Sequence, residues 1–413
     1  MNKYLSFLYF SIGCIFLYSC AISSNTILSN NKNMYLVNFD TINNKENTIP
    51  LSTIFDSVRV VILDNKEVLI GDINRIQSHQ NKIFVLDSYV AKGVFEFDQE
   101  GNYIRKIGNI GSGPGEYASC SDFIINERLG EIYIYDSRYG CINRYDLQTG
   151  IYKSSLKIEE ADRVDHIWVN SGRLYTIDCG ISYKPSDSFS ILKEVDLNSG
   201  EIIGEWMNNN QYNKGWRNCF SGFSFVPIDD NRDLFTYGLG DSIMCLNNGK
   251  LFPYMALSGK KLIDRNEFSS EDLILPAKAT LRAKKENDFF MRWMRQDRIM
   301  KISSIFRYKK AIYMECFGKK TYTIKYDTDN NQISMIDFDD DVQFSRYPDS
   351  RIVPSFLTAD KQGVYYFLRT DNIWELKQFA MEGLISDRVI NKEKLKKLDD
   401  DSNPVILYYK FKK

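Results

Sequence analysis

Apolar positions along this chain come in short alternating bursts, seldom in the three-to-four spacing of a helix. One burst recurs: IFVLD ending at Asp87, IYIYD at Asp136, LYTID at Asp178, LFTYG at Gly238, IYMEC at Cys316 and VYYFL at Leu368. Aromatic and β-branched residues in such runs mark buried strands. Each burst leads into a second apolar segment that ends in a polar turn: FEFDQEG with Asp98, NRYDLQTG with Asp146, KEVDLNSG with Asp196, MCLNNG with Asn247, IKYDTDNN with Asp327 and KQFAMEG with Ala380. The spacing from burst to turn is nine to twelve residues in five of the six units, and the third holds an insertion, CGISYKPSDSF. Asp or Asn followed by Gly is a hairpin signal, the glycine supplying positive φ. A strand precedes each hairpin, as DFIIN at 122–126 or HIWVN at 166–170, and another follows, as IYKSSLKI at 151–158.

Four strands per unit, repeating about every 40–50 residues, predict an all-β fold, a six-bladed β-propeller of four-stranded antiparallel blades. A β-sandwich, the next alternative, lacks so long a period. Two spare strands, VRVVIL at 58–63 and PVILYYKF at 404–411, are both expected to close the ring, since a bare apolar edge invites aggregation. The rhythm breaks between Leu257 and Met300, where SSED and an amphipathic stretch predict a helical insertion at about 260–300, a cap between blades four and five. SDRVINKEKLKKLDDD predicts a second short helix before the final strand.

The N-terminus carries an address. Met1-Asn2-Lys3 is a short positive start, and the apolar run Tyr4 to Leu17 is too short to span a bilayer, which together read as a secretory signal. Leu17-Tyr18-Ser19-Cys20 resembles the lipobox of bacterial lipoproteins, which implies a signal peptide over 1–19 and lipid attachment at Cys20. The bland alternative is an ordinary cleaved signal with an incidental cysteine. Residues 20–50, rich in Asn, Ser and Thr, are expected to form a flexible tether, leaving 51–413 as the propeller.

With 53 basic and 54 acidic side chains, no long-range field recruits nucleic acid. Cys120, Cys141, Cys179, Cys219, Cys245 and Cys316 show no C-x-x-C spacing and read as small core residues, with a Cys120–Cys141 disulfide as the alternative. Only His79 and His166 are present, so no multi-histidine metal site can form, and neither metal nor cofactor is expected. The acidic run Asp337, Asp339, Asp340, Asp341 lacks calcium-loop spacing.

The glycine-rich run NIGSGPGEYASCSDF at 109–123 raises the question of a phosphate loop. Such a loop needs a following helix, and here strands flank it, so Gly111, Gly113 and Gly115 read as a joint between blades. FEFDQEGNYIRKIGNIGSGPGEY, DFIIN, IYIYD, the closing NPVILYYKFKK and the lipobox together resemble the six-bladed β-propeller lipoproteins of Bacteroides-like bacteria, distant relatives of NHL-repeat propellers. Units four and five depart from the pattern by losing the turn Asp or gaining the insertion. The resemblance implies a fold and an envelope location, and carries over no catalytic residues.

Three functional classes remain. The first is a binding module for a glycan, a peptide or a partner protein of the envelope, anchored to the membrane. Blade-to-blade connections and second-to-third-strand turns share one face of a propeller, and here they carry Tyr117, Tyr139, Tyr183, Tyr212, Trp216, Arg217, Arg346 and Tyr347, types that dominate binding energy. The second is a lyase or hydrolase using His166, Asp165 and Asp122 at the channel mouth, the paired carboxylates suiting glycoside chemistry. The commoner role for such groups is local hydrogen bonding. The third is a structural subunit of an envelope complex. No acidic run follows Cys20, where AISSN stands, so the periplasmic side of the outer membrane is expected.

Overall fold

In the computed structural model the described residues are 34–42, 48–161, 164–178, 189–208, 223–237, 241–267, 276, 278–319, 322–337, 355–369 and 372–413. They form six antiparallel sheets arranged as a six-bladed propeller. Blade 1 runs Arg75–His79, Lys82–Asp87, Gly93–Asp98, Tyr103–Ile107, and blade 2 runs Asp122–Asn126, Glu131–Asp136, Cys141–Asp146, Tyr152–Lys157. Blade 3 is Val164–Asn170, Arg173–Asp178, Ser190–Val195, Ile202–Asn208; blade 4 is Phe223–Pro227, Arg232–Tyr237, Ser242–Asn247, Lys250–Ser258. Blade 5 is Ile299–Tyr308, Ala311–Gly318, Tyr322–Asp327, Gln332–Asp337.

Blade 6 closes the ring from both ends of the chain. Its inner strands are Ser355–Ala359 and Gly363–Leu368, its third is the C-terminal Val405–Phe411, and its outer strand is the N-terminal Phe55–Ile62. Tyr409 pairs with Val58 across the closure.

The recurrent bursts are apolar without interruption because each second strand is covered on both sides. In blade 1, Ile83 and Val85 pack toward blade 6 while Phe84 and Leu86 pack toward blade 2. In blade 2, Ile132 and Ile134 face blade 1 while Tyr133 and Tyr135 face blade 3. Six such clusters, one per junction, make up the core.

Three expectations are corrected. KQFAMEG with Ala380 is no hairpin turn: Ile373–Met381 is helix α2, burying Ile373, Leu376, Phe379 and Ala380 at helical spacing against blades 5 and 6. The SDRVINKEKLKKLDDD stretch folds as a two-residue strand, Val389–Ile390, parallel to the outer strand of blade 6, and a 3-10 turn over Lys392–Lys397. The segment 20–50 is not tether throughout. Tyr35–Asn38 and Thr48–Pro50 add a parallel fifth strand to blades 4 and 5, and Val37 and Phe39 are fully buried. The insertion between blades 4 and 5 is helical as expected, as helix α1, Ala279–Met294. Cys120, Cys141, Cys245 and Cys316 are free thiols, so Cys120 and Cys141 are unbonded.

Leu407, in the closing strand, is fully buried between blades 5 and 6. Leu407→Ala is expected to lower the unfolding free energy by about 2–5 kcal/mol, read from urea denaturation.

Candidate functional site

The glycine run forms its own small closed structure. Asn109–Ile110 and Glu116–Tyr117 pair in parallel, and the amide of Gly113 donates to Glu116 Oε2 at 2.8 Å. The chain's own carboxylate therefore occupies the position an anion would take, and the phosphate reading fails on that contact. Gly115, with φ +78°, lies where a Cβ would come within 2.7 Å of Tyr152 Cβ. Tyr117, expected on a loop surface, is fully buried and its hydroxyl donates to the carbonyl of Ile107 at 3.1 Å. It is a core residue of the junction between blades 1 and 2, because the short parallel ladder turns its ring inward.

The aspartates ending the second strands are ties. Asp87 Oδ1 accepts the amides of Tyr89 and Val90 in the following turn, while Oδ2 accepts that of Gly71 from the preceding connection. Asp136 repeats this with Arg138, Tyr139 and Ala118. Tyr139 is 44% exposed in that turn, on the face expected for it. Asp146 and Asp196 cap third-strand turns, and their carboxyls sit below the usual range because of the donors at Thr149 and Ser199 respectively.

At the start of the inner strands, three groups meet. Arg75 Nη1 donates to Asp122 Oδ2 at 2.5 Å and to the carbonyl of Ile167 at 3.1 Å, which joins blades 1, 2 and 3 through one side chain. The same Asp122 oxygen accepts the amide of Ile167 at 2.8 Å, and His166 Nδ1 lies 3.4 Å away. Burial pushes the Asp122 carboxyl up, but the Arg75 charge and His166 outweigh it and hold it below the usual range. A carboxylate so engaged is a poor general base. Asp165 is exposed, beside a register shift between Val164 and His166. Of the three candidate catalytic residues, Asp122 and His166 come together.

A cavity of about 1320 Å³ opens on the opposite face, at the turns between first and second strands. Trp168 and Phe225 line it, their rings stacked at 4.5 Å, with the Arg75 guanidinium 5.5 Å from the centre of the Trp168 ring. Trp168 Nε1 and Asn170 Nδ2 both donate to Asp233 Oδ2, at 2.7 and 3.0 Å. Burial pushes the Asp233 carboxyl up to about 6 despite those donors. The rim carries both signs of charge, from Glu127, Arg128, Asp229, Asp230, Lys309 and Lys361. Sequence reasoning missed this cavity. Its only signal was Trp168 inside the inner strand HIWVN.

Tyr183, Tyr212, Trp216, Arg217, Arg346, Tyr347 and Cys20 lie outside the described residues. Among the described residues no group of three His, Cys, Asp or Glu side chains is placed to hold a metal ion. No described helix is long and apolar enough to cross a membrane.

Fold and cavity define a six-bladed β-propeller with a wide axial funnel. The chain belongs to the family described as Domain of unknown function (DUF4934), whose profile matches residues 34–410. Among solved structures it is similar to a Bacteroides fragilis protein described as exported, at 16% identity and a TM-score of 0.64, covering 92% of this chain and 99% of that one. A DUF4221 family member from Bacteroides vulgatus is similar at 11% identity and a TM-score of 0.50, over 87% and 97% of the two chains. A virginiamycin B lyase from Staphylococcus aureus, at 11% identity over 85% and 99%, reaches a TM-score of only 0.42, which says nothing about chemistry. No curated protein matches.

Two outcomes follow from this electrostatics. Asp122→Ala would strand a buried guanidinium and is expected to cost about 3–5 kcal/mol, whereas His166→Gln, at a side chain 33% exposed, should leave urea denaturation nearly unchanged. The folded state holds the Asp233 proton more tightly than the unfolded chain, which releases it near 3.8, so this group's contribution is full below that value and is lost as pH rises through about 6. Asp233→Asn is therefore expected to exceed the parent's stability at pH 8 by roughly 2–3 kcal/mol, the gap closing toward pH 4; a gap independent of pH would refute the assignment.

Proposed function

We propose that this protein is a lipid-anchored binding module of the cell envelope that receives a glycan, a peptide or a segment of a partner protein in its axial funnel. The observation that carries the reading is the cavity itself. At about 1320 Å³ it exceeds the roughly 300–1,000 Å³ of a small-molecule site, so its size suits an oligomeric ligand. Its lining supports the same reading, because stacked Trp168 and Phe225 give a flat apolar wall while the rim supplies hydrogen-bonding groups of both charges. The binding face proposed from sequence thus moves to the side bearing the first-to-second-strand turns.

The LYSC sequence at 17–20 supports acylation at Cys20, and the description of the B. fragilis protein as exported agrees with an envelope address. The periplasmic side of the outer membrane remains the reading favoured by the neutral AISSN that follows Cys20.

Two measurements test this. Cys20→Ser should move the protein from the membrane to the soluble fraction, and trypsin applied to intact cells should leave the parent uncleaved. A glycan and peptide array probed with residues 21–413, which keep the whole family-matched region, should give hits that Trp168→Ala weakens at least tenfold. Hits indifferent to Trp168→Ala would place binding elsewhere.

A further inference from the structure

The cavity is not symmetric about the axis. From blades 2, 3 and 5 it takes only inner-strand and neighbouring turn residues, and blade 4 adds Asp233 and Asn248. Blade 6 contributes from all four strands: Thr358 on the first, Tyr365 on the second, Tyr408 and Lys410 on the third, Arg59 and Val61 on the outermost. Facing them on blade 1 are Ser78, Lys82, Ile83 and, at its outer turn, Gln99. The funnel therefore continues radially as a cleft along the junction where the ring closes. Strands spaced about 4.8 Å apart make that cleft about 14 Å long from inner to outer strand.

The cleft has an excess of positive charge and a tyrosine on its floor. Partly buried Tyr408 packs on Tyr365, itself in the core between blades 6 and 1, with ring centres 4.6 Å apart. The one carboxylate on the blade 6 side, Asp360, is already taken up by donors: the amides of Gln362 and Gly363 at 2.7 and 2.8 Å, Ser78 Oγ at 3.0 Å and the Tyr408 hydroxyl at 3.3 Å. Glu100, at the outer turn of blade 1, is shared by two cations, lying 3.7 Å from Arg59 and 3.1 Å from Lys394. Lys410 has no carboxylate partner within ion-pair distance among the described residues. Cations thus outnumber anions along the cleft, although the chain as a whole carries a net charge of only −1.

We propose that this cleft is the binding site of a linear acidic oligosaccharide, which enters the funnel at Trp168 and runs outward between blades 6 and 1, its carboxylates set against Lys410 and Arg59. The inference rests on the binding reading above and names the ligand class and its course. An acidic peptide carries similar charge but finds less here. The cleft walls are the faces of strands whose backbone groups are spent within blades 6 and 1, so no free edge is offered for main-chain pairing. Tyr408, Ser78, Gln99 and Lys410 suit rings bearing hydroxyl and carboxylate groups.

The test uses the full chain in detergent, with oligogalacturonates of two, four and six residues, the carboxyl-reduced neutral hexamer, and hexaglutamate as probes in calorimetry. The hexamer is expected to bind at least tenfold tighter than the dimer and to weaken as salt rises. The double variant Arg59→Gln, Lys410→Gln, both at partly exposed side chains, should cost the acidic hexamer about tenfold and flatten its salt dependence, while leaving weak binding of the neutral hexamer unchanged. That unchanged binding separates a charge effect from misfolding. Equal affinity for dimer and hexamer, insensitivity to the double variant, or preference for hexaglutamate would each overturn the inference while leaving a funnel-binding protein. An array without any hit on the funnel would remove both.

Discussion

Face-to-face packing between blades is the constraint on which the rest depends. A four-stranded sheet with two apolar faces has no stable existence in water, and each face buried contributes about 25 cal/mol per Å² only if a neighbour covers it. Ile83 and Phe84, adjacent in sequence, serve different junctions. No blade can be completed without both neighbours, so the ring must close, and it closes by combining Phe55–Ile62 with Val405–Phe411 in one sheet. The sheet so formed, built of strands from opposite chain ends, is also the one along whose face the cavity spreads outward.

Polar groups inside the ring serve this packing before they serve chemistry. Asp87 and Asp136 each fix a turn and the connection leading into it, which sets how one blade follows the next. Arg75 spans three blades with Asp122 as its counter-ion. Glu315, largely buried between blades 5 and 6, accepts from Ser304 and Tyr366, and burial raises its carboxyl above the usual range despite both donors. Such groups are costly to bury and are retained where their partners are complete.

Blade number, strand order and the closing role of both termini were legible because they depend on local signals: unbroken apolar bursts and Asp-Gly turns at constant spacing. Helix α2 was misread because KQFAMEG ends in an apolar run and a glycine like a hairpin, although Ile373, Leu376 and Phe379 already stood at helical intervals. The docking of Tyr35–Asn38 was hidden in a polar stretch, where Val37, Phe39 and Ile42 are the residues that reach the core. Tyr117 belonged to the right connection but faces inward, since a two-residue ladder decides its direction. The cleft had no signature at all. It arises at the rim of one of six similar junctions, a property of the assembled ring that no single segment encodes.

The route of the N-terminal segment sets a schedule. Tyr35 waits for Met255, and Val58 waits for Tyr409, so the earliest described strands find their partners only after most of the chain has been made. Contacts this distant in sequence form late, since long loops must first be gathered at an entropic cost. During that interval Phe55–Ile62 is an orphan apolar ribbon, and blades 1 to 3 stand as an open arc with a naked flank. The last event of maturation, the meeting of head and tail, is therefore also the event that creates the cleft: an incompletely annealed molecule would lack that hollow as well as being sticky.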